Sequence, residues 1–196
     1  MTGHDTAPRT HPLTREHWRA WLAAHHADAT AVWMVSWKAA TGRPRVSYDD
    51  AVSEALAFGW VDSLPRRLDD ERTMLYFSRR RPTSAWSGPN KRRVDQLRRQ
   101  GLMTGAGEHV ITQAKLNGAW SRLDEVENLV EPDDLTAALA DLPAARTRWD
   151  AFPASARRGI LEWIIQARRP ATRAQRVAET ARLAAENIRA NQWRRG

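Results

Sequence analysis

The chain predicts an α+β fold: a small mixed β-sheet with helices in the N-terminal half, followed by an all-helical C-terminal half. Three observations predict it. Short runs rich in Val, Trp and Tyr, the composition of strands, occur only before residue 80. From Ser87 onward the apolar residues recur at helical spacing. Caps, prolines and glycines punctuate both halves at the expected places.

The elements follow in order. Residues 1–12 are polar, hold two prolines and show no periodicity, which predicts a disordered leader. Thr14 caps a first helix, whose Trp18, Trp21, Leu22 and His25 fall on one face. Ala31–Trp37 (AVWMVSW) reads as a buried strand, and Thr41-Gly42-Arg43-Pro44 as a turn. Ser47 opens a second helix with Val52, Ala55, Leu56 and Gly59 on one face. Trp60–Asp62 and Arg72–Ser78 (RTMLYFS) read as two strands joined by the polar stretch Ser63–Glu71. Helices are then expected from Ser87 to Gly101, over 105–117, after Pro132, after Pro143, over 154–168 and from Thr172 to Gln192. The expected organisation is a leader (1–12), an α+β domain with the pocket (13–118), an acidic linker (119–131) and a C-terminal helical module (132–196).

Composition excludes several function classes. The chain has 196 residues and no cysteine, which removes disulfides, thiol nucleophiles and cysteine metal sites and fits a reducing cytoplasm. No apolar window reaches the length of a membrane span, and the N-terminus lacks a secretory h-region. The net charge of +8 is uneven: residues 64–100 and 153–196 are each +7, whereas 121–152 are −5. Such segments partly neutralise one another, and no nucleic-acid-binding motif accompanies them. No P-loop, HExxH or GxSxG pattern is present, so neither metal nor nucleotide cofactor is expected.

The segment Glu54–Asn90 holds the remaining chemistry. Strand alternation puts Trp60 and Asp62 on the same side. Asp62 is either a structural anchor, bonded to backbone or to an arginine of the 79–81 run, or a ligand or general-base carboxylate against an apolar wall. Arg79 and Arg80 are either a solvated strand end or a clamp for a carboxylate or phosphate. The turn Trp86-Ser87-Gly88-Pro89-Asn90 puts a hydroxyl and amides at a helix start, where anions bind, although self-capping by Ser87 is the commoner outcome. Glu54 sits mid-helix, where a solvated face is the default, with proton transfer as the alternative. Among the ten tryptophans, most fall on core stripes, while Trp60 and Trp86 flank the polar cluster and are expected to line a cavity. Ser63 completes the ligand-binding set.

The stretch SYDDAVSEALAFGWVDSL, continued by RRLDDERTMLYFSRRRPTSAWSGPNKRRVDQLRRQGLM, resembles the bacterial OmpD-associated, or bacteriocin-protection, family. The closing stretch FPASARRGILEWIIQARRPATRAQRV is similar to that family's terminal helical module, so the resemblance covers residues 14–190. It implies a cytoplasmic α+β protein tied to envelope stress and protection against bacteriocins or cationic peptides. It supplies no catalytic residues. Pro65 departs from the family's usual aliphatic residue, beside Asp62.

These readings converge on a stress-protection protein with a pocket for an anionic or amphiphilic small molecule between sheet and helices. Trp60 and Trp86 would wall it, Asp62 would accept hydrogen bonds or a proton, and Arg79 or Arg80 would clamp the anion. A metal- and nucleotide-independent enzyme using Asp62 or Glu54 is the alternative. A module binding RNA or an acidic protein through Arg92, Arg93, Arg98 and Arg99, or through the C-terminal arginines, is the third.

Overall fold

The computed structural model describes residues 6–191 and divides the chain into two compact units, 1–122 and 123–196. Unit 1 builds a four-stranded sheet from β1 (Arg9–Thr10), β2 (Ala31–Trp37), β3 (Trp60–Arg67) and β4 (Arg72–Arg79). The strand order is β1-β2-β4-β3, with β1 parallel to β2 and the other pairs antiparallel. Four helices join it: α1 (Arg15–His25), α2 (Tyr48–Ala57), α3 (Gly88–Arg99) and α4 (Gly105–Leu116).

The helix starts are chemical. Thr14 accepts a bond from the amide of His17, and Ser47 accepts one from that of Asp50, each satisfying an otherwise orphaned first-turn donor. Trp18 and Leu22 turn the buried face of α1 onto α2, where the Trp18 indole donates to the Ala51 carbonyl at 3.0 Å. Gly59 then reverses the chain directly from α2 into β3. Its φ of +75° lies in the left-handed region, and a Cβ there would meet Val110 Cγ2 at 2.8 Å. This turn fixes Trp60 and Asp62 to the end of α2.

Alternation along the strands sorts their side chains. Val32, Met34, Phe77 and Trp60 face the helices and join Trp18, Leu56, Trp86 and Val94 in the main core. Trp33, Val35, Met74 and Tyr76 form a smaller cluster, packed by Leu64 and Leu68. The β3–β4 register shifts between Asp62 and Pro65, as a bulge does.

Unit 2 is helical: α5 (Asp124–Glu127), α6 (Asp133–Ala140), α7 (Pro143–Ala151), α8 (Ala154–Ile165) and α9 (Pro170–Ala185). Leu135, Leu139, Trp149, Ile160 and Ile164 are all fully buried. Glu131 ties the unit together. Its carboxylate takes a bidentate bond from Arg146 at 2.6 and 2.9 Å and one from the Trp149 indole at 2.7 Å. These bonds hold its carboxyl below the usual carboxylate range, the Arg146 contact being the largest cause.

Two boundary readings need correction. Arg9–Thr10 of the expected leader form β1, because an adjacent strand edge offers them backbone partners; residues 1–5 lie outside the described ones. The expected linker is folded. Ala119 is buried in the main core of unit 1, and Leu123 and Val126 are buried beyond the division.

Candidate functional site

The helix-covered face of the sheet is incompletely filled. A cavity of about 520 Å³ opens on it at the end of β2 distant from Gly59. Met34, Leu75, Val46 and Pro65 supply apolar surface, and Trp37 and Ala39 continue it along the connection to α2. Five polar groups join them: Ser36, Thr73, Asp62, Ser63 and Tyr48. Lys38 and Arg45 also line it. This volume and this ratio of apolar to polar lining suit a small organic molecule.

Each polar group has a traceable position. Ser36 shares its strand face with Met34 and pairs with Thr73 across β2–β4. Its residue is 8% exposed and its hydroxyl has no hydrogen-bond partner among the described residues. Asp62 stands opposite Phe77 in the ladder, on the helix side, and is half-buried. Its Oδ2 accepts from the Tyr48 hydroxyl at 2.9 Å, across from the first turn of α2. Partial burial, and then this bond, push the Tyr48 phenol above its ordinary pKa, so it stays a donor at neutral pH. Lys38 is held by the Asp69 and Asp70 carbonyls at 3.0 and 2.8 Å. Arg45 is exposed at the rim.

The other candidate residues are distributed differently. Ser63 is exposed and lines this cavity. Trp60 and Trp86 are each 1% exposed and belong to the main core, and neither is among the residues lining the cavity. Trp60 meets Trp21 edge-on at 5.9 Å, and its indole donates to the His26 carbonyl. Glu54 is no solvated residue: it is 1% exposed, with Arg15 on Oε1 and Arg19 on Oε2, both at 2.6 Å. That pairing latches α1 to α2 and occupies both carboxylate oxygens. Arg79 donates to the carbonyls of Ala27 and Ala29, and Asn90 accepts from Arg93 at 3.0 Å. Ser87 occupies the N-cap of α3 without a side-chain capping bond, contrary to the expected self-cap.

Arg80 stands apart. It is 7% exposed and lies over the Trp86 ring at 3.9 Å from its centroid, with one bond to the Ala85 carbonyl. Desolvation lowers its pKa to about 10, with Asp62 opposing the shift. Of the arginines read as a binding surface, Arg93 pairs with Asp49 and Arg98 with Glu108, while Arg92 and Arg99 are exposed.

Ser36, Tyr48 and Thr73 escaped the sequence reading, as did Lys38 and Arg45 at the edge of the cavity. Ser36 lies inside an apolar strand run, and Tyr48 is the first residue of a helix. The only signal for Tyr48 was its place beside the Ser47 cap, which aims the first turn of α2 at the strand that follows. Among the described residues no group of three or more His, Asp or Glu converges on a metal position, and no helix is long and apolar enough to cross a membrane.

Two family models match the chain. One, described as Domain of unknown function (DUF8412), covers residues 10–110 and contains the whole cavity. The other, described as Bacteriocin-protection, YdeI or OmpD-Associated, covers residues 128–187. The N-terminal motif that carries the sequence resemblance thus falls within the first match and the closing helical motif within the second. No curated protein and no solved structure matches.

Proposed function

We propose, since the chain belongs to the DUF8412 family and that description names no chemistry, a function drawn from the cavity itself. The protein binds a small amphiphilic molecule on the helix-covered face of its sheet. The apolar body lies on Met34, Leu75 and Val46. Its polar end reaches the Ser36 hydroxyl and the free oxygen of Asp62, with Arg45 at the rim for an anionic group. This binding serves protection against toxic amphiphiles in the cytoplasm, a reading supported by the bacteriocin-protection match over residues 128–187.

One observation carries the proposal: Ser36, whose buried hydroxyl has no partner among the described residues, lines a cavity of about 520 Å³. Burying a polar group unpaired costs free energy that an apolar residue at position 36 would avoid. A ligand that bonds the hydroxyl recovers that energy.

The test uses the anionic amphiphile 1-anilinonaphthalene-8-sulfonate. The full-length protein is expected to bind it at one saturable site. Leu75→Trp, which fills the cavity, is expected to weaken that binding at least tenfold. Failure to saturate, or equal binding by the filled variant, overturns the proposal.

A further inference from the structure

Among the remaining buried polar groups is Arg80, which does not line the cavity. A guanidinium this deeply buried ordinarily faces a carboxylate, because transfer of an unpaired charge out of water is costly. Among the described residues, no carboxylate lies within ion-pair distance of Arg80. Its Nε and Nη1 are buried without hydrogen-bond partners, and only Nη2 is bonded, to the Ala85 carbonyl. The indole N–H of Trp86, whose ring the guanidinium covers, is likewise buried and unpartnered.

Further positive charge lies nearby. Trp86 precedes the N-cap of α3, a helix of 12 residues whose N-cap Ser87 makes no side-chain bond to its first turn. The partial positive charge of that helix end is therefore not offset by its own cap. Trp86 also packs on Trp120 at 5.0 Å, and the ammoniums of Lys91 and Lys115 lie over the Trp120 ring at 5.2 and 5.3 Å. Asp62 is the acidic group whose charge acts on Arg80, and its Oδ2 is engaged by Tyr48.

We infer that Arg80 and Trp86 form an internal site for one oxyanion group, a phosphate or a carboxylate, at the N-terminal end of α3. Water can satisfy an orphaned N–H but brings no countercharge; an oxyanion supplies both. The planar fork of the guanidinium suits two oxygens of such a group, with Nη2 shared between the anion and Ala85. The segment 81–85 forms the outer wall. Arg81, Pro82 and Thr83 are exposed, and the wall is tied down by Asn117 on the Pro82 carbonyl (3.0 Å) and Arg122 on that of Thr83 (2.8 Å). Two side-chain bonds are a small barrier to admitting an ion. The site is distinct from the amphiphile cavity, whose lining includes neither Arg80 nor Trp86, although the charge of Asp62, which does line the cavity, reaches Arg80.

The experiment titrates inorganic phosphate into the full-length protein at constant ionic strength, with chloride as the balancing ion. Two signals are followed: Tm, and the Trp86 indole N–H resonance, assigned from its loss in Trp86→Phe. Phosphate is expected to raise Tm by a few degrees and to move the Trp86 resonance with the same midpoint. Arg80→Met is expected to weaken the affinity at least tenfold and Arg80→Lys several-fold, while Arg99→Ala leaves it unchanged. A parallel acetate titration identifies the preferred headgroup by which anion moves Trp86 at lower concentration. A Trp86 resonance that ignores both anions overturns the site, and this readout in the unsubstituted protein stands even if Arg80→Met does not fold. So does a Tm response equally large in a folded Arg80→Met protein, since that response belongs to surface arginines.

Discussion

Ser36→Ala separates a binding cavity from a packing defect. The hydroxyl is buried in β2 with no partner, so the folded protein carries the desolvation cost of a bare polar group, about 1–3 kcal/mol. Alanine removes that cost. It forfeits the few dispersion contacts of one oxygen atom, about 0.1–0.2 kcal/mol each, and the backbone pairing of residue 36 with Thr73 is untouched. The expected net effect is stabilisation by about 1 kcal/mol, or a rise in Tm of roughly 2–4 °C. Urea unfolding followed by tryptophan fluorescence measures it, with an unchanged m-value as the check that both end states are the same. The same variant is expected to bind the naphthalenesulfonate probe about fivefold more weakly, the worth of one neutral hydrogen bond of about 1 kcal/mol. More stable and less competent is the signature of a residue kept for a ligand. If Ser36→Ala is instead destabilised by more than about 1 kcal/mol, the hydroxyl has a structural partner and the reasoning fails.

The paired carboxylates answer to other measurements. Glu54→Gln removes the charge that Arg15 and Arg19 share, and is expected to cost about 2–3 kcal/mol in urea unfolding. That is less than the cost of breaking a wholly buried pair, because both arginines keep about a third of their surface in water. Probe binding is expected to be unchanged, since Glu54 does not line the cavity, and a wild-type stability would refute the latch. In unit 2, Glu131 has a folded pKa below its unfolded value of about 4.5, so its contribution is complete above pH 4.5 and is lost as pH falls through the depressed folded value. Glu131→Gln is expected to flatten the loss of unit 2 stability below pH 4.5, measured by calorimetry, and an unaltered acid limb would refute the assignment.

Much of the fold was legible because it is local. Thr14 and Ser47 announce helices through bonds to amides three residues away, and Ala31–Trp37 is recognisable from its own composition. What the sequence hid is decided by pairing at a distance. β1 is two residues that become a strand only against Trp33 and Met34. The bulge after Asp62 follows from how β3 must pair with β4, and it lets β3 run to Arg67 instead of ending at Asp62. The site divides along the same line. Alternation fixes the side of the sheet on which Asp62 stands, but not that Tyr48, fourteen residues earlier, would take one of its oxygens. Tryptophans near polar residues read as cavity walls, whereas the bulk of Trp60 and Trp86 is better used filling the core. Glu54 reads as solvated until the two arginines of α1 are seen to arrive from the opposite helix.

The cavity itself follows from a mismatch of lengths. A helix rises 1.5 Å per residue, so the ten residues of α2 span about 15 Å. A strand rises about 3.4 Å per residue, so the eight residues of β4 span about 27 Å. Gly59 pins the C-terminal end of α2 to the start of β3, which puts the helix over Val32, Phe77 and Trp60. The helix therefore runs out near Tyr48, before the sheet face does, and the far ends of β2 and β4 at Ser36 and Thr73 receive only the connection 38–47, whose regular structure is one 3-10 turn at Ala39–Thr41. Such a gap can be closed by large apolar side chains in that connection. Here it carries Lys38, Ala39, Arg45 and Val46, which rim the space rather than fill it. Geometry creates the opening, and the choice of small and polar residues around it keeps it open.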